Sequence, residues 1–242
     1  MPHVKLPTLE VAVVIPVKGK FEDLAITLDS LDKLNSDFAD TVVVVDGHQK
    51  EIIDGLDKKK FKNIEPTTIL NDNTRGSYYS RNRGYKHTSA AYVWFIDSGV
   101  EVLRDCKAAL KSVIDLELDY SGGAIELAYP QSREVEIIDI LTKLTEFKVK
   151  RCLQYRHFAP TANLLVKRSI LDQVKGFNST LYSGGDQEFG YRVWKAGFSQ
   201  HYIKQLKVSH QTRSKEELYL KSMSFKTVEK PYSLPPVSAI EY

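Results

Sequence analysis

Two short runs that lack polar–apolar alternation constrain the fold most. They are residues 11–17, VAVVIPV, and residues 41–45, TVVVV. Strands without alternation are buried on both faces, as in parallel sheets covered by helices. Between the runs, residues 21–34 carry leucines at helical spacing, namely Leu24, Leu28, Leu31 and Leu34. Strand, helix and strand in this order predict a right-handed βαβ unit. The chain is therefore expected to adopt an α/β fold, with a mostly parallel central sheet flanked by helices.

The stretch at residues 80–102, SRNRGYKHTSAAYVWFIDSGVEV, indicates a ligand site. A basic, glycine-punctuated segment leads into an apolar run at residues 90–96, which stops at Asp97. Asp46 ends the run at residues 41–45 in the same way. Open α/β sheets bind ligands at the carboxyl ends of their strands, so both carboxylates should face one crevice. Either Asp alone is more typical of a turn. Both together, with Arg81 nearby, favour a site.

The remaining patterns extend the α/β alternation to about residue 210. Strands are predicted at residues 66–70, 122–129, 161–166 and 201–208, and helices within residues 75–89, 103–116, 135–149, 170–174 and 186–196. The proline-rich stretch from residue 231 is predicted to be extended. Neither a repeat nor a linker divides the chain, which favours a single domain.

Composition excludes several classes of protein. With 242 residues, 27% of them charged, and a net charge of +3, the sequence is that of an ordinary globular protein rather than a nucleic-acid coat. Cys106 and Cys152 form neither a disulfide framework nor a metal motif, which indicates reduced thiols in a cytosolic protein. No signal peptide is expected, and no run approaches the roughly 20 apolar residues that span a bilayer. We therefore expect a soluble protein, or one that sits on a membrane surface.

Two further groups could carry chemistry. Ser183, Gly184 and Gly185 form a flexible loop before a helix that opens with Asp186 and Glu188, so a carboxylate base could close over a substrate. Taken alone, this pattern is more typical of a capped helix. The helix dipole is expected to lower the pKa of Asp186. His210 follows a predicted strand and could join Asp97 at a divalent metal, although a lone histidine is usually structural.

The basic segment around Arg81 leaves two ligands open. Its interleaved tyrosines would suit RNA, because bases stack on Tyr and Arg. Its arginines would equally suit isolated phosphate groups. Motifs of the Walker, HExxH, GxSxG and GxGxxG types are absent from the sequence, so the enzyme classes that depend on them lose support.

Taken in order, these pieces resemble the family 2 glycosyltransferases of the GT-A fold. The resemblance covers roughly residues 11–213. The matching segments are VAVVIPVKGKFEDLAITLDSL, VVVVDG, SRNRG for the family's ARNxG, FIDSG at the DxD position, TANLLVKRSILDQVKGF, SGGDQEFGYRVWKAGF and VSH. The match implies one GT-A domain over residues 1–230, with a nucleotide-sugar half at about 8–100, an acceptor half at about 101–230, and a tail at 231–242.

The resemblance also implies a role for each matched residue. Asp186 would be the catalytic base, with Glu188 as an accessory carboxylate. Asp97 and His210 would bind Mn²⁺ or Mg²⁺. The residues implied to bind the nucleotide sugar are Pro16, Val17, Asp46, Arg81, Asn82, Asp97 and Ser98. Two positions depart from the family: the second DxD aspartate is Gly99, and the first acid of the Glu-Asp pair is Gly185.

The implied activity is inverting transfer of a sugar from a UDP- or GDP-sugar to a hydroxyl of a glycan or lipid-linked saccharide. The metal is in doubt because of Gly99, and nucleic acid is not an expected partner. The implied location is cytoplasmic, with a peripheral contact at the inner face of a membrane as an option. The alternative is a non-catalytic sugar-nucleotide or glycan-binding domain of the same fold, which Gly99 favours and Asp186 opposes.

Overall fold

One eight-stranded sheet runs through the protein in the computed structural model, which describes residues 9–129, 134–145 and 147–212. The strands are β1 (Leu9–Val17), β2 (Phe38–Asp46), β3 (Pro66–Asn71), β4 (Tyr92–Ile96), β5 (Val100–Val102), β6 (Tyr120–Ala128), β7 (Asn163–Lys167) and β8 (Gln200–Gln211). Their spatial order is β3-β2-β1-β4-β7-β6-β8-β5. Four of the seven pairings are parallel, which confirms the predicted mostly parallel α/β sheet.

Helices cover both faces of this sheet. They are α1 (Phe21–Leu34), α2 (Lys50–Lys58), α3 (Ser77–His87), α4 (Cys106–Asp115), α5 (Ile137–Thr145), α6 (Val149–Arg156), α7 (Arg168–Gln173) and α8 (Gly185–Lys195). On one face, β1 packs against the leucine stripe of α1 and against α4. On the other face, Phe95 and Leu164 pack with α3, α6 and α8. Both faces of β1 and β4 are buried, which explains why the sequences of these strands are continuously apolar.

The first half of the sheet is parallel, and its topology positions the ligand site. Chain order β1, β2, β3 runs to one side and β4 pairs with β1 on the other, so the strand order reverses between β1 and β4. Ligands bind at such a reversal, outside the carboxyl ends of the strands. Asp46 ends β2, and Asp97 directly follows β4.

Several sequence-based boundaries were wrong. Residues 135–149 form two helices instead of one, and Phe147 between them adopts a left-handed φ of 53° that interrupts the helix. The strand predicted at 201–208 extends to Gln211, so His210 lies inside β8. Helix α2 and strand β5 were not predicted. The stretch from residue 231 lies outside the described residues.

A buried amide joins the two halves of the sheet. Asn163, at the start of β7, accepts a hydrogen bond from Trp94 Nε1 of β4 at 2.9 Å. Its own Nδ2 donates to the carbonyls of Ala124 in β6 at 3.0 Å and Leu206 in β8 at 2.8 Å. Because β8 is irregular opposite Gly123, the Leu206 carbonyl is free of the ladder and would otherwise be an unpaired buried acceptor.

Candidate active site

A polar cleft of about 550 Å³ opens at the carboxyl ends of β1, β2 and β4. It collects residues from the turn after β1, from the start of α3, from the turn after β4 and from the end of β8. Of the residues that the sequence singled out, the lining includes Pro16, Val17, Asp46, Arg81, Asp97, Ser98 and His210. Asp46 and Asp97 therefore do face one cleft.

Asp46 shapes the floor of the cleft and is only 4% exposed. Its Oδ1 accepts hydrogen bonds from Asn71 Nδ2 at 3.0 Å and from the Arg75 backbone N–H at 2.8 Å, and its Oδ2 accepts one from the Gly76 N–H at 3.0 Å. The carboxylate thus folds the segment before α3 onto the end of β2. A carboxylate has about four acceptor positions, so Oδ2 retains one for a ligand donor.

The amino terminus of α3 points into the same cleft. Gly76, Ser77, Ser80 and Arg81 line it, and the first turn of α3 contains no acidic residue. Unpaired backbone N–H groups and the helix dipole favour an anion at this position. Lys18 lines the cleft from the turn after β1 and adds a positive charge. These groups together form a polar cradle suited to phosphate oxygens.

Arg81 and Asp97 form the central ion pair of the cleft. Arg81 Nη2 lies 2.5 Å from Asp97 Oδ1, and the arginine is only 3% exposed. Its Nε is buried and, within the described chain, has no hydrogen-bond partner. Arg81 lines the cleft, so its guanidinium places a positive charge beside a bound anion, whereas the Nε itself is buried.

Asp186 lies in the first turn of α8, near enough to Arg81 and Asp97 for their charges to act on it, and is not among the described residues that line the cleft. Thr161 donates its backbone N–H to Asp186 Oδ2 at 3.2 Å and its hydroxyl to Oδ1 at 3.0 Å. Burial raises the pKa of Asp186, while the charge of Arg81 and the Thr161 hydrogen bonds lower it and the charge of Asp97 raises it. The expectation that the helix dipole lowers this pKa is wrong, because desolvation of the carboxylate dominates.

Tyr78 connects the cation side of the cleft to Asp186. Its hydroxyl accepts the Asp186 backbone N–H at 3.3 Å, and its ring lies 5.6 Å from the guanidinium carbon of Arg81. Burial is the largest cause that raises the pKa of Tyr78, so the hydroxyl remains protonated. A Cβ at Gly185 would come within 2.5 Å of the Tyr78 ring. The ring thus occupies the space that an acidic side chain at residue 185 would need.

Two of the predicted site residues have structural contacts instead. The Asn82 amide both donates to the Phe177 carbonyl at 2.7 Å and accepts the Phe177 N–H at 2.9 Å, which ties α3 to the loop after α7. Glu188 pairs with Arg192 through both oxygens, at 2.5 and 2.8 Å. Arg192 in turn donates to the carbonyls of Val174 and Gly176, which lie beyond the end of α7. Neither Asn82 nor Glu188 lines the cleft.

His210 lies at the cleft with its tautomer fixed. Its Nδ1 is 2.7 Å from the Gln211 carbonyl, which can only accept a hydrogen bond, so Nδ1 carries the proton and Nε2 keeps its lone pair. Asp97 retains Oδ2 beyond its pairing with Arg81. His210 and Asp97 thus present to one cleft an imidazole nitrogen and a carboxylate oxygen, which are atom types that bind Mn²⁺. Among the described residues, no three His, Cys, Asp or Glu side chains gather into a metal cluster.

Sequence reasoning missed Thr161 and Lys18. Thr161 contacts Asp186 across 25 residues, and no local periodicity predicts such a pair. Lys18 had a usable signal, because it directly follows a buried strand whose end lies beside those of Asp46 and Asp97.

The fold and the cleft define a GT-A glycosyltransferase domain. The glycosyl transferase family 2 model matches residues 12–175, and the chain belongs to this family. Glycosyltransferase AglE of Haloferax volcanii is 26% identical over 220 residues, which cover 87% of this chain and 70% of that protein. The predicted family is thereby confirmed.

Solved structures confirm the fold. Mannosyltransferase PcManGT from Pyrobaculum calidifontis, in complex with GDP-Man and Mn²⁺, superposes with a TM-score of 0.65 at 15% identity over 87% of this chain. TarS from S. aureus, in complex with UDP-GlcNAc, gives a TM-score of 0.64 at 17% identity over 86% of this chain. This chain spans 59% and 60% of those two chains.

No helix within the described part of the chain has the length and apolar character needed to cross a bilayer.

Proposed function

We propose that this protein transfers a sugar, with inversion, from a UDP- or GDP-sugar to a hydroxyl of a glycan or a lipid-linked saccharide. The observation that carries this proposal is the continuous arrangement Asp97–Arg81–Tyr78–Asp186. It joins the anion-binding cleft to a carboxylate whose raised pKa suits a general base. Family membership and the nucleotide sugars bound to the structural neighbours support the donor class.

Each part of the cleft fits one part of such a donor. The nucleobase would lie against the Asp46 floor, where Oδ2 can accept a base N–H. The diphosphate would lie at the amino terminus of α3, beside Lys18 and the guanidinium of Arg81. Pro16, Val17 and Ser98 line the same cleft and would pack against the donor. Asn82 would act indirectly, by holding α3 in place.

The reaction needs one proton transfer and one displacement. Asp186 would take the proton from the acceptor hydroxyl as its oxygen forms a bond to the anomeric carbon. The bond from that carbon to the phosphate oxygen breaks, and the nucleoside diphosphate leaves with the electron pair. Attack opposite the leaving group inverts the anomeric centre. Arg81 stabilises the charge that develops on the leaving diphosphate.

A divalent ion, Mn²⁺ or Mg²⁺, would be held by Asp97 and by His210 Nε2 together with the donor phosphates. When bound, it would supply Lewis-acid neutralisation of the diphosphate. Gly99 removes the second carboxylate that would strengthen this site, so we expect weak metal binding without donor.

The competing function is a sugar-nucleotide or glycan-binding domain without catalysis. The specific observation that favours it is the Thr161 contact, since both oxygens of Asp186 already accept hydrogen bonds. The contact gives this carboxylate a structural role, although each of its oxygens keeps an acceptor position. The raised pKa of Asp186 argues against a purely structural role. Burial of its carboxylate costs folding free energy, and a neutral side chain at this position would avoid that cost.

The test is a panel of UDP- and GDP-sugars, measured first by thermal stabilisation and then by nucleotide release with saccharide acceptors. A bound donor at 100 times its dissociation constant adds about 2.7 kcal/mol to the free energy of unfolding. We expect one donor to stabilise the protein and to be consumed only when an acceptor is present. Stabilisation without turnover, by any acceptor class, would favour the binding domain. No stabilisation by any nucleotide sugar would refute the transferase and the sugar-nucleotide-binding domain, and thermal stabilisation by a saccharide alone would then assign a glycan-binding domain.

We further propose that the protein works in the cytoplasm, in peripheral contact with a membrane that carries its acceptor.

A further inference from the structure

Helix α5 is docked with its polarity reversed. Asp139 is 0% exposed and accepts hydrogen bonds from the Glu136 N–H at 2.8 Å and from the Thr212 hydroxyl at 2.5 Å. Thr142, one turn further along the same side, is also buried and donates to the Ile138 carbonyl. A surface helix normally buries its apolar stripe and exposes its polar one. Among the described side chains of this helix, the fully buried ones are polar.

Its apolar side faces outward. Ile137 is 78% exposed and Ile140 is 46% exposed, and they are three residues apart, so they lie on one face of the helix. Val135, just before the helix, is 50% exposed. Contiguous exposed branched side chains of this size mark a surface that is covered by another apolar phase or protein.

The next helix, α6, carries exposed positive charge. α6 begins four residues after α5 ends, and both pack on β6. α6 buries Val149 and Leu153 and exposes Lys148, Lys150, Arg151 and Arg156, with Tyr155 among them. Among the described residues, no carboxylate lies within ion-pair distance of these four cations. They line a groove of about 1010 Å³, and the other described residues that line it include no acid.

The same surface borders the donor cleft. Phe147, between α5 and α6, lines this groove and stacks on His210 with ring centroids 6.0 Å apart. His210 lines the cleft. A partner bound in the α6 groove is therefore separated from the donor cleft only by the stacked rings of Phe147 and His210.

We propose that the outward face of α5 and the cations of α6 dock on the surface of a bilayer that contains anionic lipids. Exposed branched residues beside lysines, arginines and a tyrosine form the pattern of an interfacial helix, with apolar groups in the acyl boundary and cations at the phosphates. A second copy of this chain fits the surface less well, because a twofold contact would bring the two sets of unpaired cations together. The inference rests on the peripheral membrane contact proposed above and assigns it to a surface, and its test does not depend on transfer activity.

The test is co-sedimentation of the full chain with vesicles of phosphatidylcholine alone, and of phosphatidylcholine with 30% phosphatidylglycerol. We expect binding to the anionic vesicles that weakens with added salt, and little binding to the neutral ones. Ile137→Gln with Ile140→Gln should reduce anionic binding by about tenfold or more, and Lys150→Glu with Arg151→Glu should do the same. The matched controls are Leu116→Gln, an exposed apolar position on another surface, and Lys58→Glu with Lys60→Glu, which makes the same change of net charge.

The contradicting outcomes are distinct. Failure of the parent protein to bind anionic vesicles would overturn the proposal, as would equal losses in the variants and their controls. A change in oligomeric state of the Ile137→Gln, Ile140→Gln variant, seen by light scattering without lipid, would assign the face to a second copy instead. Thermal stabilisation by the donor, measured without vesicles on the same variants, reports on the donor site separately, so failure of one proposal can be told from failure of the other.

Discussion

At the scale of single residues, Asp186 carries the proposed chemistry. Asp186→Asn should leave donor stabilisation nearly unchanged and reduce transfer by about 100-fold or more, the usual contribution of a general base. The measurement is nucleotide release at saturating donor. Transfer at the parental rate in this variant would remove Asp186 as the base.

The raised pKa of Asp186 gives a second, separate readout. The base must be ionised, so transfer by the parent should fall as pH decreases through a value above the ordinary pKa of about 3.9 for Asp. The protonated form is favoured in the folded protein, so this group contributes stability below that ordinary pKa and loses it as pH rises through the raised one. Asp186→Asn should therefore melt at a higher temperature than the parent at pH 7. The difference should shrink toward pH 4.

Asp46 is more structural than the sequence indicated. Asp46→Ala removes a carboxylate that the fold uses as well as the proposed nucleobase contact. The structure shows that it would leave two backbone N–H groups and the Asn71 amide without their acceptor. We expect a loss of about 2–3 kcal/mol in the free energy of unfolding as well as weaker nucleotide binding. Urea unfolding measures the first and calorimetric titration with UDP and GDP the second. Parental stability would contradict the hydrogen-bonding role.

Gly99 tests the metal site. Its φ of +86° disfavours any side chain, so Gly99→Asp and Gly99→Ala should each lose about 1 kcal/mol of stability. Only the aspartate restores a second carboxylate beside Asp97, so only Gly99→Asp should bind Mn²⁺ more tightly, by about tenfold, in the presence of donor. Equal Mn²⁺ affinity in the two variants would place the metal elsewhere.

At the scale of elements, α8 is anchored by the Glu188–Arg192 pair. Arg192→Ala would leave two carbonyls after α7 without their donor and should cost about 2–3 kcal/mol. Glu188→Gln keeps one acceptor for Arg192 and should cost about 1 kcal/mol while transfer stays near the parental rate. Loss of transfer in a folded Glu188→Gln variant would restore Glu188 as an accessory catalytic carboxylate.

The elements that sequence predicted are those whose burial is continuous along the chain. In β1 and α1 the buried apolar residues recur regularly along the element, so the sequence pattern predicts both elements. Helix α2 has apolar residues at helical spacing, Ile52, Ile53 and Leu56, but it spans only nine residues and buries only Ile52 fully, so its pattern was overlooked. The break between α5 and α6 depends on a left-handed Phe147, which no composition rule predicts. The Tyr78–Asp186 contact spans 108 residues, so only the folded sheet brings it together.

At the scale of the whole molecule, Asn163 holds the parallel half of the sheet to the other half. Asn163→Ala would remove three buried hydrogen bonds, to Trp94, Ala124 and Leu206, and should lower the free energy of unfolding by about 3–4 kcal/mol. The control is Asn73→Ala, at an exposed position, which should stay within about 0.5 kcal/mol of the parent. A loss below about 1 kcal/mol for Asn163→Ala would mean that the strand ladders alone unite the sheet.

The packing of the Tyr78 ring on Gly185 limits which sequences this protein can reach by single changes. An acidic side chain at residue 185 would clash with the Tyr78 ring, so that change alone should lower the stability of the protein. Shortening residue 78 first would open the space but would also remove the hydroxyl that accepts the Asp186 N–H. Each change is costly without the other, which makes the two positions epistatic. Homologues with an acid at the position of Gly185 should therefore carry a smaller residue at the position of Tyr78.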